Sequence, residues 1–239
     1  MDNSSPPSAI AGAERRLRVG GEVTLGAFAV GALIGALALP DHALLLTAAG
    51  FAASAVGILR GIDHAELAGS GLGWANRVTL LRALLAAVLF GCLLAPDRRE
   101  LIAGLAIIAV LSDAVDGWLA RRLGAASAFG ARFDMETDAA LTLVLCLMLV
   151  VLQVAGHWVL VVGAARYVFV AAGAVLPALR RELPPRVRRR SAAAVVMVCL
   201  AAATLPVIAP ALATALAVAA TAITVASFAI DVALLLRKP

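Results

Sequence analysis

The chain has 239 residues, 63% of them hydrophobic and only 15% charged, and its mean hydropathy of +1.00 excludes a soluble globular domain in favour of a polytopic membrane protein. The net charge of +5 is not a nucleic-acid footprint, because the basic residues gather at the ends of apolar runs. Cys92, Cys146 and Cys199 all fall inside such runs and read as small hydrophobes, with no disulfide framework and no metal-ligand spacing.

In chain order, Met1 to Ala11, with Ser4, Ser5, Pro6 and Pro7, reads as a disordered tail. Arg15 to Arg18 followed by an apolar run ending in Ala36-Leu37-Ala38 has the outline of a signal peptide, but the run exceeds the ~7–15 residues of a signal core. A membrane span needs roughly 20 mainly apolar residues. Eight runs are expected to span: Val23–Leu39, Ala43–Leu59, Val78–Leu94, Leu101–Leu119, Thr137–Val154, Val159–Leu176, Ala192–Ile208 and Ala211–Leu236. Most are rich in Ala, Leu, Val and Gly, which suits close helix packing in lipid, and no region is strand-rich. The expected fold is therefore an all-α polytopic membrane helical bundle.

The first two runs carry no charge in their interiors and form a plain hairpin joined at Pro40-Asp41-His42. Gly61 to Trp74, with Asp63, His64, Glu66 and several glycines, reads as an interfacial segment. From Asn76 onward polar residues recur inside the predicted helices. This divides the chain into residues 1–61, a tail and accessory transmembrane hairpin, and residues 62–239, the interfacial segment and a six-span core. With eight spans the basic groups at Arg15–Arg18, Arg60 and Arg77, Arg121–Arg132, Arg180–Arg190 and Arg237-Lys238 fall on one side. Arg98 and Arg99, flanked by Asp97 and Glu100, fall on the other. The positive-inside rule then places both termini and the turn between Asp116 and Asp134, with its aspartates, on the cytoplasmic side, which suits the cell (inner) membrane.

Between the apolar stretches Leu101–Val110 and Leu141–Leu152 stand two pairs of aspartates, Asp113/Asp116 and Asp134/Asp138. Spacings of three and four put each pair on one helix face. Asp113 and Asp116 close one predicted helix, Gly124 to Gly130 with Ser127 supplies a turn, and Asp134 and Asp138 open the next. An antiparallel pair of helices brings both carboxylate pairs to one level. Acidic groups at a bilayer boundary cost ~2.5 kcal/mol or more each unless neutralised, and four facing one space repel one another. A divalent cation with oxygen ligands, shared with a substrate phosphate, is the simplest neutraliser. Gly117 and Ala120 remove side-chain bulk beside the first pair, and Arg121 can take a phosphate bidentately. The alternative is a set of buried ion pairs closing a helix hairpin.

The run Asp113-x2-Asp116-Gly117-x2-Ala120-Arg121-x8-Gly130-x3-Asp134-x3-Asp138 resembles, at all eight fixed positions, the signature of the CDP-alcohol phosphotransferase family. Asn76-x-x-Thr79-x-x-Arg82 at the start of the third span is similar to the family's first core helix. The resemblance covers the six-span core and not the amino-terminal hairpin. It implies an enzyme that moves a substituted phosphate from a CDP-linked lipid, most often CDP-diacylglycerol, to a small alcohol and releases CMP. On that resemblance Asp113, Asp116 and Asp134 hold one or two divalent ions, and Asp138 ligates metal or acts as the base that deprotonates the acceptor. Asn76, Thr79, Asp113, Gly117, Ala120, Arg121 and Gly130 line the nucleotide site. Oxygen-only ligation favours Mg²⁺ or Mn²⁺ over zinc. Family members are commonly homodimers, so a homodimer in membrane lipid is implied, with no nucleic-acid partner.

The acceptor side is read from the remaining buried charge. Arg166, beside Tyr167 in the sixth run, is a functional candidate, with an ion pair to Asp231 as the structural alternative. Arg188, Arg189 and Arg190 open the seventh run, where they suit either lipid headgroups or a phosphorylated acceptor. Two other classes compete for the whole chain. An intramembrane prenyltransferase also binds a diphosphate through aspartates and magnesium, but through two separated acidic motifs. A cation-binding transporter would carry internal repeats and mid-membrane helix breaks, and neither is visible.

Overall fold

The computed structural model describes residues 40–62, 73–123, 128–176 and 187–237, with Gly21 and Gly26. The expected first span, most of the interfacial segment, the turn at 124–127 and much of the basic loop before Val187 lie outside the described residues. The described chain is all-helical, with no strand: α1 (Asp41–Ile62), α2 (Gly73–Gly91), α3 (Arg99–Leu123), α4 (Ala128–Val151), α5 (Leu160–Val175), α6 (Val187–Ala203) and α7 (Pro210–Arg237). Short 3₁₀ turns, Cys92–Leu94 and His157–Val159, follow α2 and precede α5.

These helices cover seven of the eight expected runs, with shifted ends. Three stretches among the described residues are long and apolar enough to cross a membrane: Asn76–Leu94, His157–Val175 and Pro210–Leu235. The chain is accordingly an integral membrane protein. α4 differs from these because Arg132, Asp134, Glu136 and Asp138 interrupt its first half. Proline sets two of the helix starts. Pro40 accepts from the Ala43 and Leu44 amides (2.9 and 3.2 Å) as α1 begins. Pro210 opens α7, where its missing N–H costs nothing.

The chain forms two compact units, which divide α3 and α4 between them. One comprises residues 1–95 and 111–138. Its centre is α2, where Leu80, Ala83–Leu89 and the side chain of Arg82 are buried. α1 lies against α2 at very close range. A Cβ at Gly91 would collide with Thr47 Oγ1 and stand 2.7 Å from the Ala43 carbonyl oxygen, so only glycine fits there. The Thr47 hydroxyl is buried in the same contact and donates back to Ala43 O at 2.9 Å.

The other unit comprises residues 96–110 and 139–239. α6 packs on α7, and α5 meets α7 through an edge-on Phe169–Phe228 contact at 5.8 Å. The buried second half of α4, Leu141, Leu145, Cys146, Met148 and Leu149, forms its core. Gly163 of α5 approaches the backbone of α4 so closely that a Cβ would lie 2.7 Å from Leu143 Cα.

α4 ends in a Schellman motif, with the Val154 amide on Leu149 O (2.9 Å) and the Gln153 amide on Val150 O (3.0 Å). The left-handed residue there is Gln153, at φ 58°, where glycine is usual. Arg99 donates to Leu152 O (3.2 Å) and Thr214 to Val154 O (2.9 Å), so side chains from α3 and α7 finish the capping of this helix end.

Candidate active site

Three helices of the first unit supply the described site. Along α2, Asn76, Thr79 and Arg82 recur every third residue and are all buried, at 9%, 3% and 0% exposure. Polar groups with that periodicity inside an apolar helix must face protein rather than lipid. α3 contributes Asp113. α4 contributes Asp134 and Asp138, one turn apart on the same face.

The expected convergence occurs for these three carboxylates. One oxygen from each of Asp113, Asp134 and Asp138 lies within 4.8 Å of the others. Their side chains are 39%, 41% and 34% exposed, so the cluster opens to solvent on one side. This oxygen-only donor set, half-exposed and close-spaced, fits a hard divalent cation.

Behind it sits a group that the sequence reading did not place in the site. The Arg82 guanidinium donates through Nη1 to Asp113 Oδ1 at 2.9 Å and through Nη2 to Asp134 Oδ1. The same Nη2 lies 3.2 Å from Asp138 Oδ1. One fork thus reaches all three carboxylates and ties α2 to α3 and α4. The signal was present in the sequence. Arg82 follows Asn76 and Thr79 on one helix face, and a buried cation in an apolar helix requires an anionic partner.

The helix ends differ from expectation. α3 continues past Asp116 to Leu123, and α4 begins at Ala128. Gly130 therefore lies in the first turn of α4, not in the connecting turn, and the aspartates stand about two turns inside their helices. Helical propensity of the Trp118–Leu123 and Ala128–Phe133 stretches carries both helices beyond the carboxylates. Asp116, Gly117, Ala120 and Arg121 lie on the helical backbone of α3, and their side chains lie outside the described residues.

The acceptor candidates belong to the second unit. Arg166 is half-buried on α5, next to the exposed Tyr167. Arg188 and Arg189, at the start of α6, converge on Asp231 of α7. Arg188 Nη2 lies 3.0 Å from Asp231 Oδ1, and Arg189 Nε lies 3.7 Å from Oδ2. Asp231 is 8% exposed, whereas Arg190 on the same turn is exposed. The carboxylate first considered for Arg166 is thus engaged by two arginines of another helix.

Comparison with known proteins gives the family. A plant protein, CDP-diacylglycerol–inositol 3-phosphatidyltransferase 1 of Arabidopsis thaliana, is 36% identical over 96 residues, which cover 35% of this chain and 41% of the plant protein. The aligned part is thus less than half of that relative. No solved structure matches. The profile of the CDP-alcohol phosphatidyltransferase family matches residues 72–230, a stretch that contains the α2 polar stripe, all four aspartates and the arginines of α5 and α6. The chain belongs to the CDP-alcohol phosphatidyltransferase family, a family of membrane phosphotransferases of phospholipid synthesis.

Proposed function

We propose that this protein transfers a phosphatidyl group from a CDP-linked lipid, such as CDP-diacylglycerol, to the hydroxyl of a small alcohol and releases CMP. The observation that carries the reading is the meeting of Asp113, Asp134 and Asp138 within 4.8 Å, on two helices inside the family's matched region. Asp113, Asp116, Asp134 and Asp138 would hold Mg²⁺ or Mn²⁺, which supplies charge neutralisation on the diphosphate. Asn76, Thr79, Gly117, Ala120, Arg121 and Gly130 would line the cytidine nucleotide. The six-span core, the accessory hairpin, a cytoplasm-facing site and a homodimer complete the proposal.

The chemistry then follows from this chain's residues. An alcohol at neutral pH is a poor nucleophile, so Asp138 accepts its proton as the oxygen attacks the lipid-bearing phosphorus. The new phosphorus–oxygen bond forms as the bond to the CMP phosphate breaks, and the electron pair leaves on CMP. Arg82, whose Nη2 stands 3.2 Å from Asp138 Oδ1, would hold this carboxylate toward the cluster. The arginines of α6 would hold the acceptor. Net positive charge around Asp231 favours a phosphorylated alcohol. The plant relative is named for transfer to inositol, so inositol and inositol phosphate lead the acceptor panel.

The test uses the full chain in detergent with Mn²⁺ or Mg²⁺, CDP-diacylglycerol and a panel of alcohols, following CMP release. Asp138→Asn should lower turnover by about 10²-fold or more while cytidine nucleotide binding stays within a few-fold. Wild-type turnover in that variant would remove Asp138 from the role of base. No CMP release with any acceptor would overturn the reaction itself.

A further inference from the structure

The position of Arg82 is informative about how the aspartate cluster exists before any cation arrives. Three carboxylates from two helices, each with an oxygen inside a 4.8 Å space, would together carry −3 in that space and would repel one another. Arg82 enters from the buried side. Its side chain is 0% exposed, while the three aspartates are 34–41% exposed on the other side. A guanidinium stays charged at every accessible pH, and its planar fork spans partners on separate helices, which a lysine ammonium does not. With Arg82 counted, the three described carboxylates keep a residual −2, which a divalent cation on the open side would offset.

We propose that Arg82 is the resident counter-ion of this cluster, holding Asp113, Asp134 and Asp138 together in the absence of a divalent cation and setting the residual negative charge that determines how tightly one binds. This rests on the reading of the cluster as a divalent-cation site. The arginine occupies the buried side permanently, so the cation site is assembled before the ion arrives. Arg82 is a positioning residue: it acts on the carboxylates and not on the transferred group. On cation binding its fixed charge works against the preorganisation it supplies, and in this proposal the charge is the larger of the two effects. Removing a fixed positive charge next to the ligands strengthens cation binding, and removing a scaffold weakens it.

The experiment measures Mn²⁺ binding to the full chain in detergent by the loss of the free-ion electron paramagnetic resonance signal, without nucleotide or lipid, alongside thermal melts with and without Mn²⁺. Wild type, Arg82→Met, Arg82→Lys and Asp134→Asn are compared. Arg82→Met is expected to bind Mn²⁺ about tenfold or more tightly than wild type and to melt lower without the ion. It should also gain more in Tm on Mn²⁺ saturation than wild type does. Arg82→Lys, which keeps the charge, should stay within about threefold of wild-type affinity. Unchanged or weaker Mn²⁺ binding by Arg82→Met would overturn the proposal. If that variant does not fold, a change of about tenfold or more in Arg82→Lys would do the same. Wild type that fails to bind Mn²⁺, or binds it no better than Asp134→Asn, would overturn the cation site itself, a result separate from any effect of Arg82.

Discussion

Two clusters of arginine and aspartate, one in each compact unit, are built on opposite balances. Among the described residues, one guanidinium at Arg82 meets three carboxylates, and the excess is negative. Around Asp231 two guanidinium groups meet one carboxylate, and the excess is positive. The buried member is the minority ion in both: Arg82 in the first and Asp231 in the second. The majority ions keep part of their surface in water. Burying the lone ion among several partners avoids the cost of an unpaired charge, and leaving the others half-exposed keeps them available to a ligand. The first balance suits a cation and the second an anion, which are the polarities that the proposed metal-bound donor and phosphorylated acceptor would require.

The largest expected effect breaks the negative cluster. Asp134→Asn should reduce CMP release by on the order of 10²-fold or more. A residual rate near that of wild type would mean that the excess negative charge is not what the reaction uses. The positive cluster should respond more weakly and more selectively. Arg188→Gln is expected to raise KM for a phosphorylated acceptor about tenfold, the size of one charge-assisted hydrogen bond, while KM for the CDP-lipid stays within about twofold. An equal rise in both constants would remove the contrast between the clusters. The smallest effect is a control that touches neither. Gln153→Gly relieves the left-handed backbone at the end of α4 and should add about 1 kcal/mol of stability, read as a higher melting temperature with unchanged CMP release. A loss of stability would show that the Gln153 side chain contributes more than its backbone costs.

The sequence carried the aspartates further than any other feature. Spacings of three and four within apolar surroundings, together with a turn between them, were enough to expect Asp113, Asp134 and Asp138 in one place, and they meet there. Helical character was legible for the same reason, because long runs of Ala, Leu and Val leave a lipid-embedded chain little alternative. The helix ends were not. The Gly-rich stretch before Asp134 suggested a turn as far as Gly130, yet α4 already begins at Ala128. Glycine weakens a helix by only about 1 kcal/mol, which neighbouring residues readily outweigh. Arg82 was visible as one member of a polar pattern, but nothing local to α2 says which anions it faces. That information lies 31 and 52 residues further along the chain. The pairing of Arg188 and Arg189 with Asp231 is non-local in the same way, at a separation of 43 residues for Arg188.

The contact at Gly91 has a practical consequence for anyone shortening this protein. α1 precedes the stretch that matches the family, so trimming it looks harmless on an alignment. Yet α1 seats Thr47 and the Ala43 carbonyl against Gly91 of the helix that carries Arg82, too closely for any larger residue at that position. Cutting it away would uncover Gly91, Ala87 and Phe90 on the face of α2 that α1 now covers. A minimal version would need a replacement helix of matching profile, not merely a solubilising tag.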